Sequence, residues 1–166
     1  MDRAGTRAVE DWLAAETIGR VLIVASLDVS TLDQIAEQFT AHGGVDRIRV
    51  GRDLGNALLG ARPGRRAREA ERWLRDRCLR DAGHPVLLTE IDILFHDELD
   101  GGASERLDPL ALFNQTSRLT PIAVVWPGMY DGETLGYAVP GHGHYRHWHR
   151  PAAQIIPVTS TSGRQG

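Results

Sequence analysis

Three near-continuous apolar runs, at residues 21–25, 86–94 and 120–126, most constrain what this chain can fold into. A strand buried on one face alternates apolar with polar residues. A strand covered on both faces reads as an unbroken apolar run, the mark of a parallel sheet. Helical spacing fills the gaps between the runs. Leu32, Ile35, Ala36 and Phe39 recur at i, i+3, i+4 and i+7 before Gly43-Gly44 stops the pattern. Residues 65–82 form a longer helix with Ala67, Ala70, Leu74 and Cys78 as its apolar stripe and Gly83 as its stop. Asp108-Pro109 supplies an N-cap and a first-turn proline for a helix ending near Arg118. A short amphipathic helix carrying Val9, Trp12, Leu13 and Ile18 precedes the first run. The alternation implies an α/β protein, a three-layer sandwich with a mostly parallel sheet.

Weaker signals complete the outline. Residues 45–50 alternate and suit a strand exposed on one face, 53–59 read as a helical turn, and Pro63-Gly64 ends it. Asp131-Gly132 marks a hairpin turn before an apolar segment at 135–139, and 154–158 suit one last strand. A chain of 166 residues is expected to make one domain, here over 1–158, with a Thr/Ser/Gly-rich tail at 159–166. The hydrophobic share of 42% and charged share of 25% are those of a globular protein. A net charge of −3 argues against indiscriminate nucleic-acid binding. Cys78 is the single cysteine, so an intrachain disulfide is excluded. With no apolar run long enough to span a bilayer, the expected location is the cytoplasm.

The first run, 21–25, is followed by Ser26-Leu27-Asp28-Val29 and then a helix near Ser30-Thr31. That is the layout of a nucleotide-binding P-loop. A working loop needs glycines, so that backbone N–H groups can close on the phosphates, and a lysine to reach them. This stretch has neither, and all 19 basic residues of the chain are arginines. Thr31-Leu32-Asp33-Gln34 reads as a capping box that satisfies the helix N-terminus internally, and Asp28 places a carboxylate where a phosphate would approach. Two readings fit: an ordinary capped helix after a buried strand, or a P-loop fold that has lost its catalytic loop.

Other clusters offer chemistry. The second run ends in Thr89-Glu90-Ile91-Asp92, where a Walker B strand would end in an aspartate that helps hold Mg²⁺. Thr89 replaces that carboxylate poorly. Glu90 and Asp92, two apart on a strand, would point to one side, to share a cation or to pair with arginine. Eight arginines fall between Arg62 and Arg80; Arg65, Arg68, Arg72 and Arg75 lie opposite the apolar stripe, where guanidinium groups suit phosphate oxygens. The alternative is a solvated face with i,i+4 pairs such as Glu71–Arg75 and Asp76–Arg80. His142, His144, His147 and His149 form two pairs spaced two apart, a weak zinc or nickel pattern with no cysteine or carboxylate to complete it. No G-x-S-x-G elbow supports a hydrolase.

In order and spacing, these segments resemble the small BrxF-type P-loop proteins of BREX bacterial phage-defence systems, over nearly the whole chain, roughly 9–158. The resemblance rests on the helix before 21–25, on Leu87-Leu88-Thr89-Glu90-Ile91-Asp92-Ile93-Leu94-Phe95, and on Leu107-Asp108-Pro109-Leu110. It rests further on Val124-Val125-Trp126-Pro127-Gly128 and on Gly136-Tyr137-Ala138-Val139-Pro140-Gly141-His142 with Tyr145-Arg146. It implies a P-loop NTPase-like core, with the first strand flanked by the third and fourth apolar strands. This sequence departs from the family at Ser26, Asp28, Ser30 and Thr31, and again at Thr89, Glu90 and Asp92. The resemblance therefore implies a pseudo-ATPase: a scaffold or regulatory subunit with no catalytic residue and no cofactor. Its expected partners are a large ATPase, a PglZ-like protein and a methyltransferase, with DNA reached through the complex and homo-oligomerisation left open. His142, Tyr145, Arg146 and Trp148 are the partner-binding candidates, since exposed Tyr, Trp and Arg make interface anchors. Two alternatives stand beside this: a DNA-contacting module using the helix at 65–80, and a metal-dependent enzyme using 142–149 with Glu90 or Asp92.

Overall fold

A computed structural model describes residues 3–15, 18–81, 83–96 and 107–159. The element order is α1 (Arg3–Ala15), β1 (Leu22–Ser26), α2 (Val29–Ala41), β2 (Asp46–Arg49), α3 (Val50–Leu58), α4 (Arg66–Cys78), β3 (Val86–Thr89), α5 (Pro109–Ser117), β4 (Ile122–Tyr130), β5 (Thr134–Tyr137), β6 (Arg146–His149) and β7 (Gln154–Pro157). Short 3₁₀ turns, Pro63–Arg65 and Ile91–Phe95, precede α4 and follow β3.

Five strands run parallel in the order β2-β3-β4-β1-β7. β1 is buried along its whole length between β4 and β7, in register Leu22↔Ala123 on one side and Leu22↔Gln154 on the other. Because strand side chains alternate, each apolar run supplies both faces of the sheet. Leu22, Val24, Leu87, Ala123 and Val125 meet Val9 and Trp12 of α1 and Ile35, Ala36 and Phe39 of α2. Ile23, Ala25, Leu88, Val124 and Trp126 share the other core with α3, α4 and α5, through Leu54, Ala70, Leu74 and Phe113. The result is an α/β protein with helices on both faces of a mostly parallel sheet.

β4 is the longest strand and outruns its parallel neighbours. Its last residues, Gly128–Tyr130, pair antiparallel with β5, which pairs in turn with β6. The crossing is tight at Gly128, where a Cβ would lie 1.8 Å from the Gly136 carbonyl oxygen and 2.8 Å from Trp126 Nε1. Glycine is the residue that fits there.

Several sequence expectations change in detail. α2 begins before Thr31, at Val29, and Asp28 is its N-cap, so no capping box starts at Thr31. The strand expected over 86–94 ends at Thr89, because Glu90 turns into the left-handed region at φ 56° and a 3₁₀ turn follows. The strand at 45–50 passes straight into α3 at Val50. The helix expected over 65–82 is the shorter α4, capped at Leu79; Ala82 lies outside the described residues. The stripe Ala67, Ala70, Leu74 and Cys78 is buried as expected. The segment at 135–139 is the shorter β5, and β6 is a strand the sequence did not announce. The tail expected at 159–166 lies, from residue 160 on, outside the described residues.

Candidate functional site

In open parallel sheets, ligands bind outside the carboxyl ends of the strands, in the crevice where the chain leaves neighbouring strands in opposite directions. Here that crevice lies beside β1. From β1 the chain turns through α2 on one face; from the neighbouring β4 it continues into the β5–β6 hairpin, which joins the core of the other face. A cavity of about 440 Å³ opens at this point. Its walls are Ala25 to Asp28 at the end of β1, Gly128, Met129 and Tyr130 of β4, and Pro157 to Thr159 at the end of β7.

The turn from β1 to α2 is two residues long, Leu27 and Asp28. Buried Ser26 accepts a hydrogen bond at Oγ from the Asp28 amide (3.1 Å), which tightens the turn. Asp28 Oδ1 then accepts from the Ser30 amide (3.2 Å), and its Oδ2 from the Thr31 hydroxyl (2.6 Å). A helix N-terminus attracts anions through amides without intrahelical partners. At α2 the chain supplies its own anion. Ser26, Asp28, Ser30 and Thr31 are thus brought together, as a cap rather than as a cradle. Around them the cavity is mainly apolar, and two large side chains at its rim stand in solvent: Leu27 is 47% and Met129 53% exposed.

Thr89, Glu90 and Asp92 do not line this cavity. Buried Thr89 accepts at Oγ1 from Arg47 Nε at 3.5 Å, the outer limit of a hydrogen bond. Glu90 receives Arg49 Nε at 2.7 Å. Asp92 lies in the 3₁₀ turn and accepts the Tyr137 hydroxyl at 2.8 Å. Burial, with the Asp92 bond second, pushes the Tyr137 hydroxyl well above its ordinary pKa. The two carboxylates expected to share one side of a strand therefore have separate partners. The left-handed turn at Glu90 also needs a close neighbour without a side chain: a Cβ at Gly51 would stand 3.1 Å from the Glu90 carbonyl oxygen.

The partner-binding candidates divide. Trp148 packs edge-on against Phe95 (6.1 Å between ring centroids) and Trp126 (5.4 Å). Arg146 lies 5.9 Å over the Phe95 ring and donates to the Leu107 carbonyl (2.8 Å). Both are engaged by contacts within the fold. Tyr145 is half-buried over Gly136 and stacks on His147, while His142 is exposed.

The four histidines do not meet at one point, although the His142 and His144 rings lie 5.8 Å apart. His142 and His144 sit in turns, with the His144 amide donating to His142 Nδ1 (3.2 Å) and the His144 ring stacked on His96. His147 and His149 share the exposed face of β6. No group of three or more metal-ligating side chains occurs among the described residues. Arg65, at the end of the 3₁₀ turn, and Arg68, Arg72 and Arg75 on α4 are exposed, as the helical wheel requires. Ion pairs on this helix join Arg72 to Glu69 and Arg77 to Asp46; among the described residues they take the place of the expected Glu71–Arg75 and Asp76–Arg80.

Sequence reading missed Met129, Tyr130, Pro157 and Val158 as site residues. The available signal was their position at the ends of apolar strands, which becomes informative only once the strand order is known. None of the described helices is long and apolar enough to cross a membrane. Comparison with protein-family models, with curated proteins and with solved structures gave no match.

Proposed function

We propose that this chain is a non-hydrolysing, P-loop-like subunit of a BREX-type bacterial phage-defence complex, which binds partner proteins and does not turn over ATP. The observation that carries the loss of catalysis is the end of β1. A two-residue turn leaves no loop to wrap a phosphate, and Asp28 fills the helix N-terminus with a carboxylate. The absence of lysine from the chain points the same way. The position of β1 between β4 and β7 agrees with the P-loop-like arrangement that the sequence resemblance implies. The phage-defence setting, with a large ATPase, a PglZ-like protein and a methyltransferase as partners, comes from that resemblance.

Thermal melting with and without millimolar Mg-ATP tests the reading. A ligand at 100 times its dissociation constant adds about 2.7 kcal/mol of stability, which moves a melting curve visibly. The expected outcome is no shift and no phosphate release above a no-protein control. A clear shift with ATP overturns the pseudo-ATPase reading.

A further inference from the structure

We infer that the cavity at the carboxyl ends of β1, β4 and β7 receives an arginine side chain from a partner protein, with Asp28 as its counter-ion. The inference rests on the protein-binding reading above and names the group that would dock.

The chemistry of the walls selects the occupant. Among the described residues, Asp28 is the only charged one that lines the cavity, and no basic residue lines it. An anion is repelled by that carboxylate. A purely apolar side chain would strip water from the carboxylate with nothing in exchange, which is costly. A guanidinium answers both demands. Each Asp28 oxygen accepts one internal hydrogen bond, which leaves lone pairs for a forked donor. Those same bonds hold the carboxylate in place, so little ordering is needed on binding.

The rest of the cavity suits the remainder of an arginine. Leu27, Met129 and Val158 offer apolar surface for a three-carbon stem. Tyr130 donates its hydroxyl to the Gly132 carbonyl (2.8 Å), which fixes a ring that also lines the cavity. Guanidinium groups stack on such faces. The net charge of −3 adds a weak attraction at longer range.

Met129 is one of two methionines, the other being Met1, so ¹³C-methyl methionine labelling gives a simple NMR probe of this cavity. A Met129→Leu variant assigns its signal. The folded protein is titrated with N-acetyl-arginine methylamide, with the isosteric citrulline derivative, and with Mg-ATP. The expected result is a saturable shift of the Met129 methyl with the arginine probe and none with citrulline. Asp28→Asn should weaken the arginine response at least tenfold. Asparagine caps a helix about as well as aspartate, so the fold is retained. Added salt should weaken the wild-type response, as for any solvent-exposed ion pair. Equal responses to citrulline, an arginine response that survives Asp28→Asn, or silence with every probe would overturn this inference and leave the pseudo-ATPase reading standing. A Met129 shift with Mg-ATP would overturn both.

Discussion

Asp28 does at residue scale what a bound phosphate does in a working P-loop: it places negative charge at the first turn of the helix after β1, on the Ser30 amide. The residue was legible in the sequence, but its role as N-cap was not. Thr31 is also a cap-forming residue, though a weaker one, and the choice between them depends on where β1 releases the chain. Glu90 shows the same limit. Thr89-Glu90-Ile91-Asp92 reads as continuing strand, whereas the backbone at Glu90 is left-handed, held by Arg49 and by the room that Gly51 leaves. Such a conformation costs on the order of 1–2 kcal/mol in a residue with a side chain. Cys78 is the simplest residue to read. It sits on the buried stripe of α4, and burial pushes its thiol up to about 12. The fold favours the neutral thiol, so this contribution to stability is complete below the unfolded value near 9 and is lost as the pH rises toward 12. At mildly alkaline pH, iodoacetamide should leave Cys78 unmodified in the native protein and alkylate it in concentrated urea, as read by intact mass. Native labelling at the rate of a free thiol would contradict this burial.

Among the elements, β6 was the least legible. It puts Arg146 and Trp148 on one face and His147 and His149 on the other, with no alternation of apolar against polar, and the preceding Pro140-Gly141-His142-Gly143-His144 dominates the local signal. The strand exists because β4 extends beyond the parallel sheet and offers β5, and through it β6, an edge to pair with. Trp148 then closes an aromatic cluster in which the Phe95 and Tyr137 rings stack at 3.7 Å. Truncating a Phe or Trp to Ala in a full core costs about 3–5 kcal/mol. Trp148 is only partly buried, so Trp148→Ala is expected to lower unfolding stability by about 2–3 kcal/mol. Urea titration with an unchanged m-value measures it. A variant as stable as the parent would mean that Trp148 is instead free to anchor a partner. The helices were read more fully, since their stripes are local: the apolar faces of α2 and α4 are buried at the positions their spacing marks.

Over the whole molecule, charge argues against a free DNA-binding role. The net charge is −3, and of the exposed arginines on α4, Arg72 is already paired with Glu69. Fluorescence anisotropy with a labelled duplex at physiological salt should show no binding by the isolated chain. If tight, salt-dependent binding appeared, Arg68→Ala with Arg72→Ala and Arg75→Ala would be expected to reduce its log–log salt slope by about 0.9 for each phosphate no longer neutralised. That outcome would move the DNA-contacting alternative to the front. The sequence by itself determined the α/β class, the segments that form the sheet's interior and the faces the helices bury. Apolar periodicity is a property of neighbouring residues and needs no partner to be read. Tertiary structure alone decided the strand order, the end of β3, the existence of β6 and the cavity beside β1. Each of these depends on segments far apart in the chain meeting, as Leu22 does with Ala123 and Gln154. Many pairings of similar apolar strands bury similar area, and their relative energies are settled only when all the layers pack together.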